Sequence, residues 1–146
     1  MNHYQTCLKY VGPMDIVIDA GCGNGDGTAI LSSKARKVIG IDKYKKIIKF
    51  AMEHNKKDNN YFMMNNLDQM EMFPQCDITV AINVIEELRF QTSFISKVQD
   101  STRKRIIIVT PLDISEMVKH VSWECITSMS ITNCPDIFSV YERKYN

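Results

Sequence analysis

The sequence predicts an α/β protein built on a doubly wound, mostly parallel sheet. Three observations predict it. Short Ile- and Val-rich runs alternate with segments of helical periodicity from Asp15 to Thr110. A glycine-rich turn follows the first of those runs, where a parallel sheet hands its first strand to its first helix. The 146 residues, 45% of them hydrophobic, suit one domain with one core, so 1–146 is read as a single domain.

The elements follow in order. Asp15–Asp19 (DIVID) is a buried strand, closed by the glycine turn. Gly27–Lys34 starts a helix, and Lys37–Asp42 (KVIGID) is a second strand. Tyr44–Lys56 is a helix with Tyr44, Ile47, Ile48, Ala51 and Met52 on one stripe. Asn60–Met64 is a third, weaker strand, and Asp77–Ile82 (DITVAI) a fourth. Ile85–Val98 reads as one helix with Ile85, Leu88, Ile95 and Val98 inward. Arg105–Thr110 (RIIIVT) is a fifth strand, stopped by Pro111. Ser115–Trp123 reads as a short helix. Ile126–Thr132 and Ile137–Lys144 read as an antiparallel hairpin around Asn133-Cys134-Pro135-Asp136.

Composition narrows the function classes. A net charge of +1 favours no partner class, and the basic clusters Lys34–Lys37, Lys43–Lys49 and Arg103–Arg105 read as solvated faces. Five cysteines without C-x-x-C spacing argue against a disulfide framework or a zinc site, so no metal is expected. No segment has the length and apolarity of a signal peptide or a membrane span, so a cytoplasmic protein is expected.

The chemistry concentrates in Asp19-Ala20-Gly21-Cys22-Gly23-Asn24-Gly25-Asp26-Gly27. Glycines at such a turn let the backbone approach a ligand and take angles other residues avoid. The dinucleotide fingerprint G-x-G-x-x-G does not fit. Counting from Gly21 puts Asp26 at the last glycine, and counting from Gly23 puts Thr28 there. The Walker tripeptide G-K-[ST] does not occur.

The acidic residue, one residue, then G-x-G-x-G of Asp19, Gly21, Gly23 and Gly25 resembles the class I S-adenosylmethionine-dependent methyltransferases. The resemblance runs from about Asp15 to Thr110 and implies a Rossmann-like fold. It implies S-adenosylmethionine as cofactor and S-adenosylhomocysteine as product. Asp19, Gly21, Cys22, Gly23 and Gly25 would hold the methionine part, where an acidic strand end suits a sulfonium and an ammonium. Asp42, with Lys43 beside it, would accept from the ribose hydroxyls, although an acid there also caps the following helix. Asn66 and Leu67 would flank adenine, with Asp68 the competing acid. Asn83 and Glu86 would border the transfer site. The family's Glu-His-Leu turn is Glu86-Glu87-Leu88 here, so no catalytic base is assigned. His120-Val121-Ser122-Trp123 resembles, faintly, an H-x-S-W segment of some small-molecule methyltransferases, with a core Trp123 and an exposed His120 as the alternative.

The acceptor is not legible. The turn Ile82-Asn83-Val84-Ile85 has no [DNS]-P-P-[YFW] motif of amino-group methylases and no Pro-Cys nucleophile of cytosine C5 enzymes. The Lys-Asp-Lys-Glu constellation of ribose 2′-O enzymes is not visible either. Only about fourteen residues precede the first strand, which predicts a near-minimal core with an open acceptor side. Three expectations follow: a macromolecular or carrier-bound acceptor, a lid from a partner subunit or second copy, or a cofactor-binding subunit that does not catalyse.

Overall fold

The computed structural model describes residues 2–145. Seven strands form one sheet: β1 (Ile16–Ala20), β2 (Lys37–Asp42), β3 (Asn60–Met64), β4 (Cys76–Ile82), β5 (Thr102–Thr110), β6 (Trp123–Ser130) and β7 (Ile137–Arg143). Their order is β3-β2-β1-β4-β5-β7-β6. The first five strands pair in parallel, and β7 runs antiparallel between β5 and β6. This is the doubly wound, mostly parallel sheet that the alternating pattern predicts. The C-terminal hairpin is present, with its first strand starting earlier, at Trp123.

The central strands read as nearly unbroken apolar runs because both sheet faces are covered. Side chains alternate between two cores along each strand. Ile18, Ala20, Ala81, Ile106 and Ile108 meet Phe94, Ile95 and Val98 in one core. Val17, Val38, Ile78, Val80, Ile107 and Val109 meet Cys7, Leu31 and Ala35 in the other. The helices are α1 (His3–Cys7), α2 (Asp26–Ser32), α3 (Lys45–His54) and α4 (Gln91–Ser101). No helix among the described residues is long and apolar enough to cross a membrane.

Several expectations need correction. The expected helix Ile85–Val98 is two pieces, a 3-10 turn at Ile85–Glu87 and then α4. The Asp68 carboxylate causes the break, because it accepts from the backbone N–H of Arg89 at 3.0 Å and of Phe90 at 2.9 Å. Those donors are therefore held by a side chain rather than by a continuous helix. Ser115–Trp123 is not a helix. Its chain makes turns that bury Ile114 and Val118, and Trp123 enters β6. The stripe on α3 is narrower than expected, since Ile48 and Ala51 are buried while Tyr44 and Met52 are exposed.

Helix α1 was not expected, and it shapes the site. The Asn2 side chain caps it, accepting from the Tyr4 and Gln5 backbone N–H groups. The Tyr4 ring then lies against Gly27, where any side chain would collide with it. A hydrogen there instead of a methyl lets α1 close on the start of α2.

Candidate functional site

The strand order turns back at β1, which has β2 on one side and β4 on the other. Ligands on open α/β sheets bind beyond the carboxyl ends of strands at such a switch point. A cleft opens there, lined by Gly21, Asp42, Lys43, Tyr44, Asn65, Asn66, Leu67, Asp68, Val84, Glu87 and Leu88. Its residues come from the ends of β1 and β2, the segment after β3, and the turn after β4.

The glycine turn is built from left-handed backbone. Gly21, Gly23 and Gly25 have φ of 74°, 56° and 88°. At Gly21 the requirement is double, because an added Cβ would also sit 2.6 Å from Val84 Cγ2. Gly23 differs: an added Cβ would meet nothing within 4 Å, so its surface faces open space. The turn is anchored to β2. Gly21 N–H and Cys22 N–H both donate to the Ile41 carbonyl, at 2.8 and 2.9 Å. Gly23 N–H donates to Asp42 Oδ2 at 3.0 Å.

Asp42 thus has two structural bonds and faces the cleft as well. Its Oδ1 accepts from the Tyr44 N–H at 3.2 Å, at the start of α3. Lys43 extends over the Tyr44 ring, its Nζ 5.1 Å from the ring centroid. Asn66 Oδ1 accepts from Asp68 N–H at 3.0 Å, and Leu67 beside it is buried. Asp68, the competing acid, is committed to the Arg89 and Phe90 backbone.

Asp19 sits behind the turn and does not line the cleft. It is fully buried, with Tyr4 Oη donating to Oδ1 at 3.0 Å and Thr28 Oγ1 to Oδ2 at 2.7 Å. Burial pushes its pKa up to about 6, against the lowering pull of the two hydroxyls, and Asp42 adds to the rise. Burial and the Asp19 charge also hold the Tyr4 hydroxyl well above its ordinary range, so it stays a donor. The Cys22 thiol is pushed up by burial and by Asp19, which removes it as a thiolate nucleophile.

Asn83 and Glu86 flank Val84 in the turn after β4, although neither lines the cleft. Asn83 has φ of 52°, uncommon outside glycine, and its N–H donates to the Val109 carbonyl at 2.7 Å. Glu86 Oε2 accepts from Thr110 Oγ1 at 3.2 Å. Burial raises the Glu86 pKa, and Asp136 and Glu87 add to it.

Of the residues singled out from sequence, Gly21, Asp42, Lys43, Asn66 and Leu67 share the cleft. Cys22, Gly23 and Gly25 form the turn beside it. Sequence reasoning missed Tyr44, Asn65, Val84 and Leu88 as lining, and Tyr4 and Thr28 as partners of Asp19. Their neighbours in sequence were the signal for the first group. For Tyr4 there was none, since fifteen residues separate it from its partner. His120 is exposed, and Trp123 is buried under the Arg143 guanidinium, 4.6 Å from the ring centroid.

Comparison with known proteins bears on this geometry. A family model described as a methyltransferase domain matches residues 13–138. No curated protein matches the chain in sequence. Among solved structures, the N-methyltransferase NodS from Bradyrhizobium japonicum, in complex with S-adenosylhomocysteine, superposes with a TM-score of 0.82. Identity is 12%, over 98% of this chain and 86% of that one. A TehB-like S-adenosylmethionine-dependent methyltransferase from Corynebacterium glutamicum gives 0.79 at 18% identity, over 97% and 86% of the two chains. A methyltransferase from Haloferax volcanii, in complex with the Trm112 activator, gives 0.82 at 10%, over 97% and 88%. The chain belongs to the methyltransferase domain family, and its fold is that of the class I S-adenosylmethionine-dependent methyltransferases.

Proposed function

We propose that this chain binds S-adenosylmethionine in the cleft at the ends of β1, β2 and β4 and transfers its methyl group to an acceptor. The observation that carries this reading is the placing of the Asp42 carboxylate on the cleft wall beside the left-handed turn. The lining suits an adenosine. Asp42 offers two acceptor oxygens to a ribose diol. Leu67, Val84 and Leu88 give apolar surface for a purine, and Asn65 and Asn66 give amides for its edge. Beyond Gly23 the turn is open, leaving room for the methionine part. The Asp42 carboxylate suits a hydroxyl pair or a cation better than a pyrophosphate, which would lie against it.

The cofactor supplies a methyl group on a sulfonium, an already activated leaving group. The protein's part is then to hold the acceptor in line and exclude water, which can supply much of the rate. Asp42 fixes the ribose, the glycine turn and the charge of Asp19 behind it fix the methionine end, and Asn83 and Glu86 lie on the acceptor side.

The test is transfer of label from methyl-labelled S-adenosylmethionine to pools of small-molecule, protein and RNA acceptors. Label in one pool, lost in Asp42→Ala, is the expected result. Tight S-adenosylhomocysteine binding with no label in any pool would favour a cofactor-binding subunit instead.

A further inference from the structure

A second group of polar side chains gathers beside the cleft, at the ends of β4 and β5 and the entry to β7. Asn83 and Glu86 come from the turn after β4, Thr110 ends β5, and Asp136 immediately precedes β7. His3 comes from α1, with Nε2 3.9 Å from Asp136 Oδ2. Four separate parts of the chain therefore converge. Asn83, with its amide nitrogen facing the carboxylate, donates to Asp136 Oδ1 at 3.3 Å and Oδ2 at 3.2 Å.

Two atoms in this group are buried without a partner, Glu86 Oε1 and His3 Nδ1. Buried side-chain acceptors normally find a donor, and an orphaned one is destabilising. Asp136 is itself only 8% exposed, and Asn83 gives its carboxylate one amide. The unmet need has one sign. Glu86 and Asp136 are carboxylates and present acceptors, of which Glu86 Oε1 meets no donor. What the group lacks is a compact donor with several hydrogens. Among the described residues no set of three His, Cys, Asp or Glu side chains is placed to hold a metal ion. A hydroxyl brings one donor and a carboxylate none, whereas an ammonium brings three and a positive charge.

We propose that this cluster receives an amino group of the acceptor, so that the protein methylates nitrogen. The inference rests on the cofactor reading above. The turn that carries Glu86 also lines the cofactor cleft through Val84, Glu87 and Leu88, which sets the cluster against the cofactor. The ammonium binds between Glu86 and Asp136. It passes one proton to the Glu86 carboxylate, whose affinity for a proton burial raises. The freed nitrogen lone pair forms the bond to the methyl carbon. The carbon–sulfur bond breaks with its pair remaining on sulfur, and the products are a methylammonium and the neutral thioether.

Bisubstrate probes test this without knowledge of the natural acceptor. Two adenosine-based analogues of S-adenosylhomocysteine are compared, one with an aminoethyl arm at the methyl position and one with a hydroxyethyl arm. Dissociation constants are measured for the natural chain, Glu86→Gln and Asp136→Asn, with melting temperatures to establish folding. The expected result is at least tenfold tighter binding of the amino probe, with the preference lost in both variants and S-adenosylhomocysteine bound equally by all three. Equal binding of the probes, tighter binding of the hydroxyl probe, or an amino preference that survives both substitutions would overturn the inference. Failure of S-adenosylhomocysteine itself to bind would instead overturn the cofactor reading on which it rests.

Discussion

The backbone N–H of Gly23 donates to Asp42 Oδ2 at 3.0 Å, so the turn after β1 is pinned to the end of β2 by a side chain that also faces the cleft. The other oxygen, Oδ1, starts α3 through the Tyr44 N–H. One carboxylate therefore scaffolds two elements while facing the cleft, and on the proposed reading it also holds the ribose, two roles that the sequence allows at once.

That sharing sets the outcome of substitution. Hydrogen bonds to a charged group contribute on the order of 1.5–3 kcal/mol each. Asp42→Ala should lower the melting temperature and weaken S-adenosylhomocysteine binding by at least tenfold. Asp42→Asn keeps one acceptor oxygen and should lose less stability, yet still bind more weakly. Paired melting and calorimetry resolve the two effects. Unchanged affinity in Asp42→Asn would remove the ribose role.

The glycines of the turn should separate in the same kind of experiment. Left-handed backbone costs a residue with a Cβ roughly 1–2 kcal/mol. Gly23→Ala incurs only that strain, because its side chain would enter open space. Gly21→Ala adds a collision with Val84, so it should melt lower than Gly23→Ala. Gly23→Val should leave the fold intact and abolish cofactor binding by filling that space. Equal melting temperatures for the two alanine variants would contradict the geometry.

Asp19 gives the fold a pH signature. Its pKa rises from an ordinary 3.8 to about 6, so the folded state holds its proton more tightly than the unfolded chain. The associated stability is present below pH 4 and is lost as pH climbs to about 6. At about 1.4 kcal/mol per unit the change is on the order of 3 kcal/mol. Asp19→Asn cannot titrate. Its stability relative to the natural chain should therefore improve between pH 4 and pH 6 and level off above. Urea titrations across that range read it, and a relative stability of the variant that stays flat, or that falls as pH rises from 4 to 6, would exclude a raised pKa.

The strands were legible because their burial is: Ile16–Ala20, Lys37–Asp42 and Cys76–Ile82 lie within one residue of the apolar runs that predict them. What was not legible depends on contacts distant in sequence. Asp68 interrupts the expected helix after β4 by binding backbone about twenty residues away. Tyr4 reaches Asp19 only because Gly27 lets α1 close, and no local pattern encodes that approach. Asp42 and the glycines announce themselves by spacing, whereas His3 and Asp136 meet beside Asn83 only once β7 inserts between β5 and β6.

On the proposed reading, a turn spaced G-x-G-x-G, with a carboxylate at the end of β2, selects S-adenosylmethionine over a dinucleotide. Calorimetric titration of the purified chain with S-adenosylhomocysteine and, separately, with NAD tests it most directly. Saturable heat with S-adenosylhomocysteine and none with NAD is the expected result. Saturable binding of NAD with no response to S-adenosylhomocysteine would contradict it.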